Sequence, residues 1–297
     1  MAEQPLTRPS PEQARRRRVV ALAIVLVGLV AAVVAVVVAI PHVHRSAPPV
    51  TVLPPPPKPF HIVFPEGFTH AQMADRVAAV AKIAQRKKPG KHVLLNRSAY
   101  VAATRTLVVP CFTPHKRTQV EGFLFPATYD FLPKTTSKQL VQAQVTAFCT
   151  NWKQLDLSYA RSKNLTPYDV LTIASLVQGE AVVEGDRPKI AAVIYNRLHL
   201  AMPLGIDAAL RYALHIPGTQ SIHESQLQNG TAYNLRLHGG LPPTPIDNPG
   251  LASLQAAAHP AHVNFLYFVA EPDKRHHFFT ASASAFQQYQ CAHGYGC

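Results

Sequence analysis

Carboxylates are scarce in this chain: 16 Asp and Glu stand against 29 Lys and Arg, leaving a formal net charge of +13 over 297 residues. Cysteine is equally sparse. The four present, Cys111, Cys149, Cys291 and Cys297, form no C-x-x-C pair, so no spacing points to zinc, and nothing in the sequence points to any other metal or to an organic cofactor. Long apolar runs are missing too, with one exception near the N-terminus.

That exception runs unbroken from Val19 to Ile40 in Val, Ala, Leu and Ile with one Gly, long enough as a helix to cross a hydrocarbon core of roughly 30 Å. Arg15 to Arg18 precede it and only Arg45 follows closely, which predicts a cytoplasmic N-terminus and an exported remainder. A cleaved signal peptide is the alternative, but its apolar region is shorter, about 7 to 15 residues, and ends in a small-residue cleavage site. The expected location is therefore the inner or plasma membrane, with one pass. Pro48, Pro49, Pro54 to Pro57 and Pro59 read as a stiff extended spacer. On the exported side disulfides persist, so Cys111 with Cys149 and Cys291 with Cys297 are candidate pairs, while free buried thiols remain the alternative. Arg86, Lys87, Lys88, Lys91 and His92 form a basic group. Export makes an anionic envelope polymer or lipid headgroup a better partner for it than nucleic acid, and a plain solvated face is the simplest reading.

The expected organisation is a basic tail (1–18), a transmembrane helix (19–40), a Pro-rich linker (41–59), a small strand-helix unit with an aromatic loop (60–130) and a main domain (131–297), of α+β class. Phe64 to Val80 reads as strand, turn and helix, with Thr69 as cap and Met73, Val77 and Val80 as the buried stripe. Glu121 to Tyr129, E-G-F-L-F-P-A-T-Y, is a loop broken by Gly122 and Pro126, whose rings either stack on sugars or, more often in such segments, pack in a core. Asn248 with Pro249 is expected to start a helix through Ala258, and Asn264 to Ala270 with His277 to Thr280 a β-hairpin.

The stretch from Thr166 to Leu200 carries the chemistry. Thr166 as N-cap, Pro167 at the first position and Asp169 in the first turn start a helix on which Val170, Ile173, Val177 and Glu180 recur on one face. A carboxylate on an apolar stripe is hard to ionise, and Glu184 one turn on is expected to add like-charge repulsion; both raise a pKa toward what a general acid needs near neutrality. The alternative is a Glu180 that merely snorkels where the helix ends at Gly185. Asp186 is expected to cap a second helix, bringing Asn196 within reach of Glu180. Tyr233 and Asn234 precede a Gly- and Pro-rich loop, Gly239 to Gly250, of the kind that shapes clefts.

These motifs together resemble the YceG-like (MltG) family of membrane-anchored endolytic murein transglycosylases. The likeness runs from about Val63 to Gln288 and rests on E-G-F-L-F-P-A-T-Y at Glu121, A-S-L-V-Q-G-E-A at Ala174, V-I-Y-N-R-L at Val193, M-P-L-G-I-D at Met202, A-Y-N at Ala232, G-L-P-P-T-P-I at Gly240 and A-A-A-H-P at Ala256. The resemblance implies cleavage between N-acetylmuramic acid and N-acetylglucosamine within peptidoglycan glycan strands, with 1,6-anhydro ends as product and Glu180 as catalytic acid and base. It also implies Glu121, Asn196, Asp207, Tyr233 and Asn234 as glycan-binding candidates, with helix capping the alternative for Asp207. Peptidoglycan synthases or division proteins would be further partners. The chain departs from the family pattern at Gln178, at Gly205 and Ile206, and at Ala285 and Phe286, and no complete LysM-like module is evident ahead of Phe64. Besides the lytic enzyme, a non-catalytic envelope protein of the same fold and a water-using muramidase, with Asp207 or Glu121 as second carboxylate, are the competing readings.

Overall fold

A computed structural model describes residues 11–39, 56–112 and 120–295. The Pro-rich spacer before residue 56, the first ten residues and Cys297 lie outside the described residues, and so does the expected Cys291–Cys297 pair. The chain divides into two units, Met1–Pro56 and Pro57–Cys297. The first holds helix α1 (Pro11–Ala39), of which Pro11–Val38 is long and apolar enough to cross a membrane.

The second unit is built from short strands and many helices, in the order β1 (Phe60–Val63), α2 (His70–Lys87), α3 (Arg97–Arg105), β2 (Thr128–Phe131), α4 (Ser137–Trp152), α5 (Ser158–Ser162), α6 (Pro167–Glu180), α7 (Arg187–His199), α8 (Asp207–Leu214), α9 (Glu224–Leu227), α10 (Leu251–Ala258), β3 (Tyr267–Ala270), β4 (His277–Thr280) and α11 (Ala283–Ala292). A 3-10 turn, Glu184–Asp186, joins α6 to α7. The mixed helix and strand class follows the expectation.

Local chemistry sets the helix starts. Thr69 with Gln72, Thr136 with Gln139 and Thr166 with Asp169 each form a reciprocal capping box, satisfying amides that the first turn leaves without intrahelical acceptors. β1 and β2 pair antiparallel, Phe60 opposite Phe131 and Val63 opposite Thr128; β3 and β4 pair from Tyr267 opposite Thr280 to Ala270 opposite His277. The hairpin stands where the sequence placed it. Helix α6 is the centre of the core: every residue from Val170 to Val177 is buried, and α10 and α7 pack against it. Leu171, Ile173 and Leu176 each contribute about 1.5–3 kcal/mol by leaving water.

The aromatic loop resolves toward packing: Phe123 is fully buried among Phe112, Phe148 and Tyr168. Cys111 and Cys149 form a disulfide, Cα to Cα 5.4 Å, stapling the segment before the loop to α4. The basic group from Arg86 to His92 is exposed. Two local expectations change. Asp186 stands at the start of α7 without a side-chain cap; its carboxylate instead accepts from the His277 backbone N–H and faces the His277 ring and Lys189. Helix α10 starts at Leu251 with Gly250 as cap, because Asn248 is drawn into buried hydrogen bonds and is unavailable for capping.

Candidate active site

Glu180 is the last residue of α6; Ala181 leaves the helix in an extended conformation, and the carboxyl is half-buried at the helix end. Burial, and secondarily the nearby Asp207 carboxylate, push it up to about 7. The Ala208 backbone N–H, Arg211 and Arg236 act in the opposite direction by favouring the anion. Position at the negative end of a helix dipole works with the burial. The like charge that weighs most comes from Asp207, at the start of α8. Gly179 makes this approach sterically open: a Cβ there would lie 3.0 Å from the Ala208 Cβ and 3.4 Å from Ile246 Cδ1, so any side chain would push α8 away.

Asp207 is held by a two-pronged ion pair, Arg236 Nε donating to Oδ1 at 2.7 Å and an Arg236 terminal nitrogen to Oδ2 at 2.9 Å. Arg236 is placed in turn by Asn234, which is fully buried. Its Oδ1 accepts the Arg236 backbone N–H, and its Nδ2 donates to the Leu227 and Asn229 carbonyls. Asn234 therefore orders the loop that carries the site's arginine and spends its own groups on backbone.

A second carboxyl centre forms around Glu121. A cavity of about 900 Å³ is lined by Glu121, His70, Gly179, Arg211, Tyr212 and Asp247, among others. Glu180 is not on that lining, but Gly179 and Ala208, which flank its carboxyl, are. Glu121 is 5% exposed. Its Oε1 accepts from the His70 backbone N–H and from Asn248 Nδ2, each at 2.8 Å, and its Oε2 accepts from the Tyr212 hydroxyl at 3.3 Å. Burial outweighs these three bonds and pushes the carboxyl up to about 8. Asn248 is the hub: Nδ2 also donates to the Phe68 carbonyl and Oδ1 accepts the Leu124 N–H, so one side chain ties the turn before α2, the aromatic loop and the segment before α10. Tyr233 joins by its ring, 5.5 Å from that of Tyr212, with its hydroxyl 2.8 Å from Thr244 Oγ1.

The structure thus gathers Glu180 with Asp207, and Glu121 with Tyr233 through Tyr212, around neighbouring parts of one region. Asn196 has no hydrogen bond to any of them among the described residues. Its Nδ2 donates to the carbonyls of Val263 and Phe265, and beside it Arg197 donates to Leu266, Pro203 and Leu204, so this pair pins the approach to β3 onto α7. Arg211, Tyr212, Arg236, Asp247 and Asn248 belong to the site although sequence reasoning did not place them there; the only local signal was the I-D-N-P-G segment, which drew attention as a loop. Among the described residues no group of three or more His, Cys, Asp or Glu is arranged to hold a metal ion.

Comparison with known proteins bears on what this geometry is. The YceG-like family model matches residues 47–291. The chain is 31% identical over 221 residues to the endolytic murein transglycosylase of Bacillus subtilis strain 168, covering 71% of this chain and 59% of the relative. It is 34% identical over 224 residues to the endolytic murein transglycosylase of Streptococcus pneumoniae R6, covering 71% and 40%. It therefore spans between two and three fifths of the length of these relatives. A YceG-like protein from Listeria monocytogenes has a similar crystal structure, with a TM-score of 0.61 at 27% identity over 78% of this chain and 76% of that one. With a family match over most of its length and a fold to agree, the chain belongs to the YceG-like family.

Proposed function

We propose that this protein is an endolytic peptidoglycan lytic transglycosylase, cleaving between N-acetylmuramic acid and N-acetylglucosamine within glycan strands, with Glu180 as its acid and base. The observation that carries the reading is the state of Glu180: a half-buried carboxyl pushed up to about 7, so that a large share holds its proton at neutral pH, beside two arginines able to stabilise the anion once the proton has left. The reaction needs both states in turn. Glu180 first gives its proton to the bridging glycosidic oxygen as the bond to C1 breaks, leaving the new sugar end as a hydroxyl. The resulting carboxylate then takes the proton of the muramic C6 hydroxyl as O6 bonds to C1, closing the 1,6-anhydro ring. The proton returns to Glu180 and no water is consumed. One carboxyl therefore suffices, unlike the pair that glycoside hydrolysis ordinarily uses.

In this scheme Asp207 and Arg236 are positioning residues. Asp207 keeps Glu180 protonated long enough to act as acid, and Arg236 limits that repulsion and steadies the carboxylate that follows. Glu121, Tyr212 and Tyr233 line or border the space in which the glycan lies. Helix α1 serves as a single-pass anchor, and the Arg15–Arg18 cluster keeps the N-terminus in the cytoplasm with the second unit outside. The substrate is then murein close to the membrane, and peptidoglycan synthases or division proteins are the partners to look for.

Mass spectrometry of purified peptidoglycan incubated with the detergent-solubilised protein, beside its Glu180→Gln variant, tests the proposal. Anhydro ends that form only with the unmodified protein support it. Reducing ends would assign a hydrolase, and glycan binding without any product would assign a non-catalytic envelope protein.

A further inference from the structure

The sugar rings of murein, with their hydroxyls and acetamido groups, are uncharged, yet the cavity beside Glu180 is lined by cations. Arg105 from the last turn of α3, Arg211 from α8 and His215 at the end of α8 all border it. Neither arginine lies within ion-pair distance of a carboxylate among the described residues. The two carboxyls on the same lining, Glu121 and Asp247, are buried, whereas Arg105 and His215 are exposed and Arg211 is half-buried. Burial pushes Glu121 up to about 8 and holds Asp247 well above its usual range, so near neutrality these acids leave the arginines uncompensated. Each cation is also held in its own way. Arg211 donates from one terminal nitrogen to the Pro217 carbonyl at 3.1 Å and to the Gln220 carbonyl at 2.7 Å, so the segment after α8 folds back to fix its guanidinium. His215 ends α8 in the left-handed region, φ 54° and ψ 37°, where Gly or Asn is usual and an imidazole carries backbone strain. Arg105 makes no side-chain hydrogen bond or ion pair among the described residues. The helix dipole accounts for a cation in the last turn of α3, but not for its place on the wall of a cavity.

We propose that this cavity takes the anionic stem peptide carried by the muramic residue, with Arg105 and Arg211 receiving its carboxylates. The inference rests on the glycan-cleft reading above and deepens it, since it names peptide-bearing strands as the substrate. The peptide hangs from the lactyl group on the muramic ring and supplies the only fixed negative charges of the repeating unit. Planar guanidinium groups match carboxylates with paired N–H donors, and two of them from elements as far apart in the chain as α3 and α8 select for where the charges lie, not merely for charge. The cavity, about 900 Å³, is far larger than a single carboxylate fills and lies within the range of sites that enclose a small ligand. Arg211 also acts on Glu180, so a peptide bound to it is set in register with the reacting carboxyl.

The test uses the detergent-solubilised full chain carrying Glu180→Gln, so that binding is read without turnover, and uncrosslinked glycan strands in three forms. One form keeps its stem peptides, one has the peptide carboxyls converted to carboxamides, and one has the peptides removed by an amidase so that only the lactyl carboxylate remains. Strands with intact peptides are expected to bind about three- to tenfold tighter than either other form. Adding Arg105→Gln should bring that ratio close to one, and Arg105→Lys, which keeps the charge but loses the fork, should retain part of it. Arg86→Gln removes an equal charge from an exposed position outside the cavity and should leave the ratio in place. A ratio that Arg105→Gln does not move overturns the proposal, and so does one that Arg86→Gln lowers equally, since that would reveal only a general attraction to a basic domain. Stripped strands that bind as tightly as intact ones would overturn it in favour of the lactyl carboxylate. Equal binding of all three forms would overturn it and leave the glycan-cleft reading standing, whereas no binding of any form would refute that reading and the proposal together.

Discussion

Glu180, half-buried, and Glu121, buried, are both carboxyls pushed above the ordinary range, yet their surroundings differ in kind. Glu180 is met by the Ala208 backbone N–H and by full charges of both signs, Asp207 raising its pKa and Arg211 and Arg236 lowering it. Glu121 is met by neutral donors, a backbone N–H, an amide and a phenol, and all of its hydrogen bonds are within the protein. Opposed charges leave Glu180 able to change state at modest cost in either direction, as an acid that becomes a base must. A ring of neutral donors fixes Glu121 in place and rewards one geometry. Raised pKa alone therefore does not identify a catalytic carboxyl; the chemical character of its partners does.

Substitution by the uncharged isostere breaks the comparison most directly. Glu180→Gln should reduce cleavage by about 10²–10⁴-fold, read by release of anhydro ends, while Tm stays close to the parent value. Glu121→Gln keeps an acceptor for His70 and Asn248 and should lose far less activity; equal losses in the two variants would erase the distinction drawn here. Glu121→Ala should behave differently again, since it strands three donors, each worth about 1–3 kcal/mol when left buried and unmet, and a marked drop in Tm by calorimetry is expected. Asp207→Asn removes the like charge beside Glu180. The acid form is then lost at lower pH, so the alkaline limb of the cleavage-rate profile should shift toward acid with the peak rate less affected; a limb that stays in place would show that burial alone sets Glu180. Smallest of all, Tyr212→Phe removes one long bond to Glu121 and should cost about 0.5–1.5 kcal/mol by denaturant unfolding, with cleavage largely kept.

What could be read from the sequence was what is local. Thr166, Pro167 and Asp169 announce α6 because a capping box spans three residues, and Val170, Ile173 and Val177 show its buried face because helical spacing is short-range. Glu180 stood out for the same reason. The groups that govern it did not, because they come from α8 and from the loop after α9: Arg236 meets Asp207 across 29 positions, and Asn248 meets Glu121 across 127. The like charge that weighs most on Glu180, Asp207, lies 27 positions further along the chain, beyond the reach of helical spacing. Asp247 sat unremarked in a proline-rich loop whose composition reveals irregular backbone but not burial. Asn196, a glycan-binding candidate from the family resemblance, donates to the carbonyls of Val263 and Phe265, partners 67 and 69 positions away that local spacing cannot show.

The Cys111–Cys149 bridge separates the two carboxyl centres in another way. It closes a loop of 38 positions that contains Glu121 and β2, whereas Glu180, Asp207 and Arg236 all lie beyond it. A cross-link of that span restricts the unfolded chain by about 4 kcal/mol. The stability of the Glu121 side of the site thus depends on an electron acceptor that oxidises two thiols, whereas the segments carrying Glu180, Asp207 and Arg236 lie outside the closed loop.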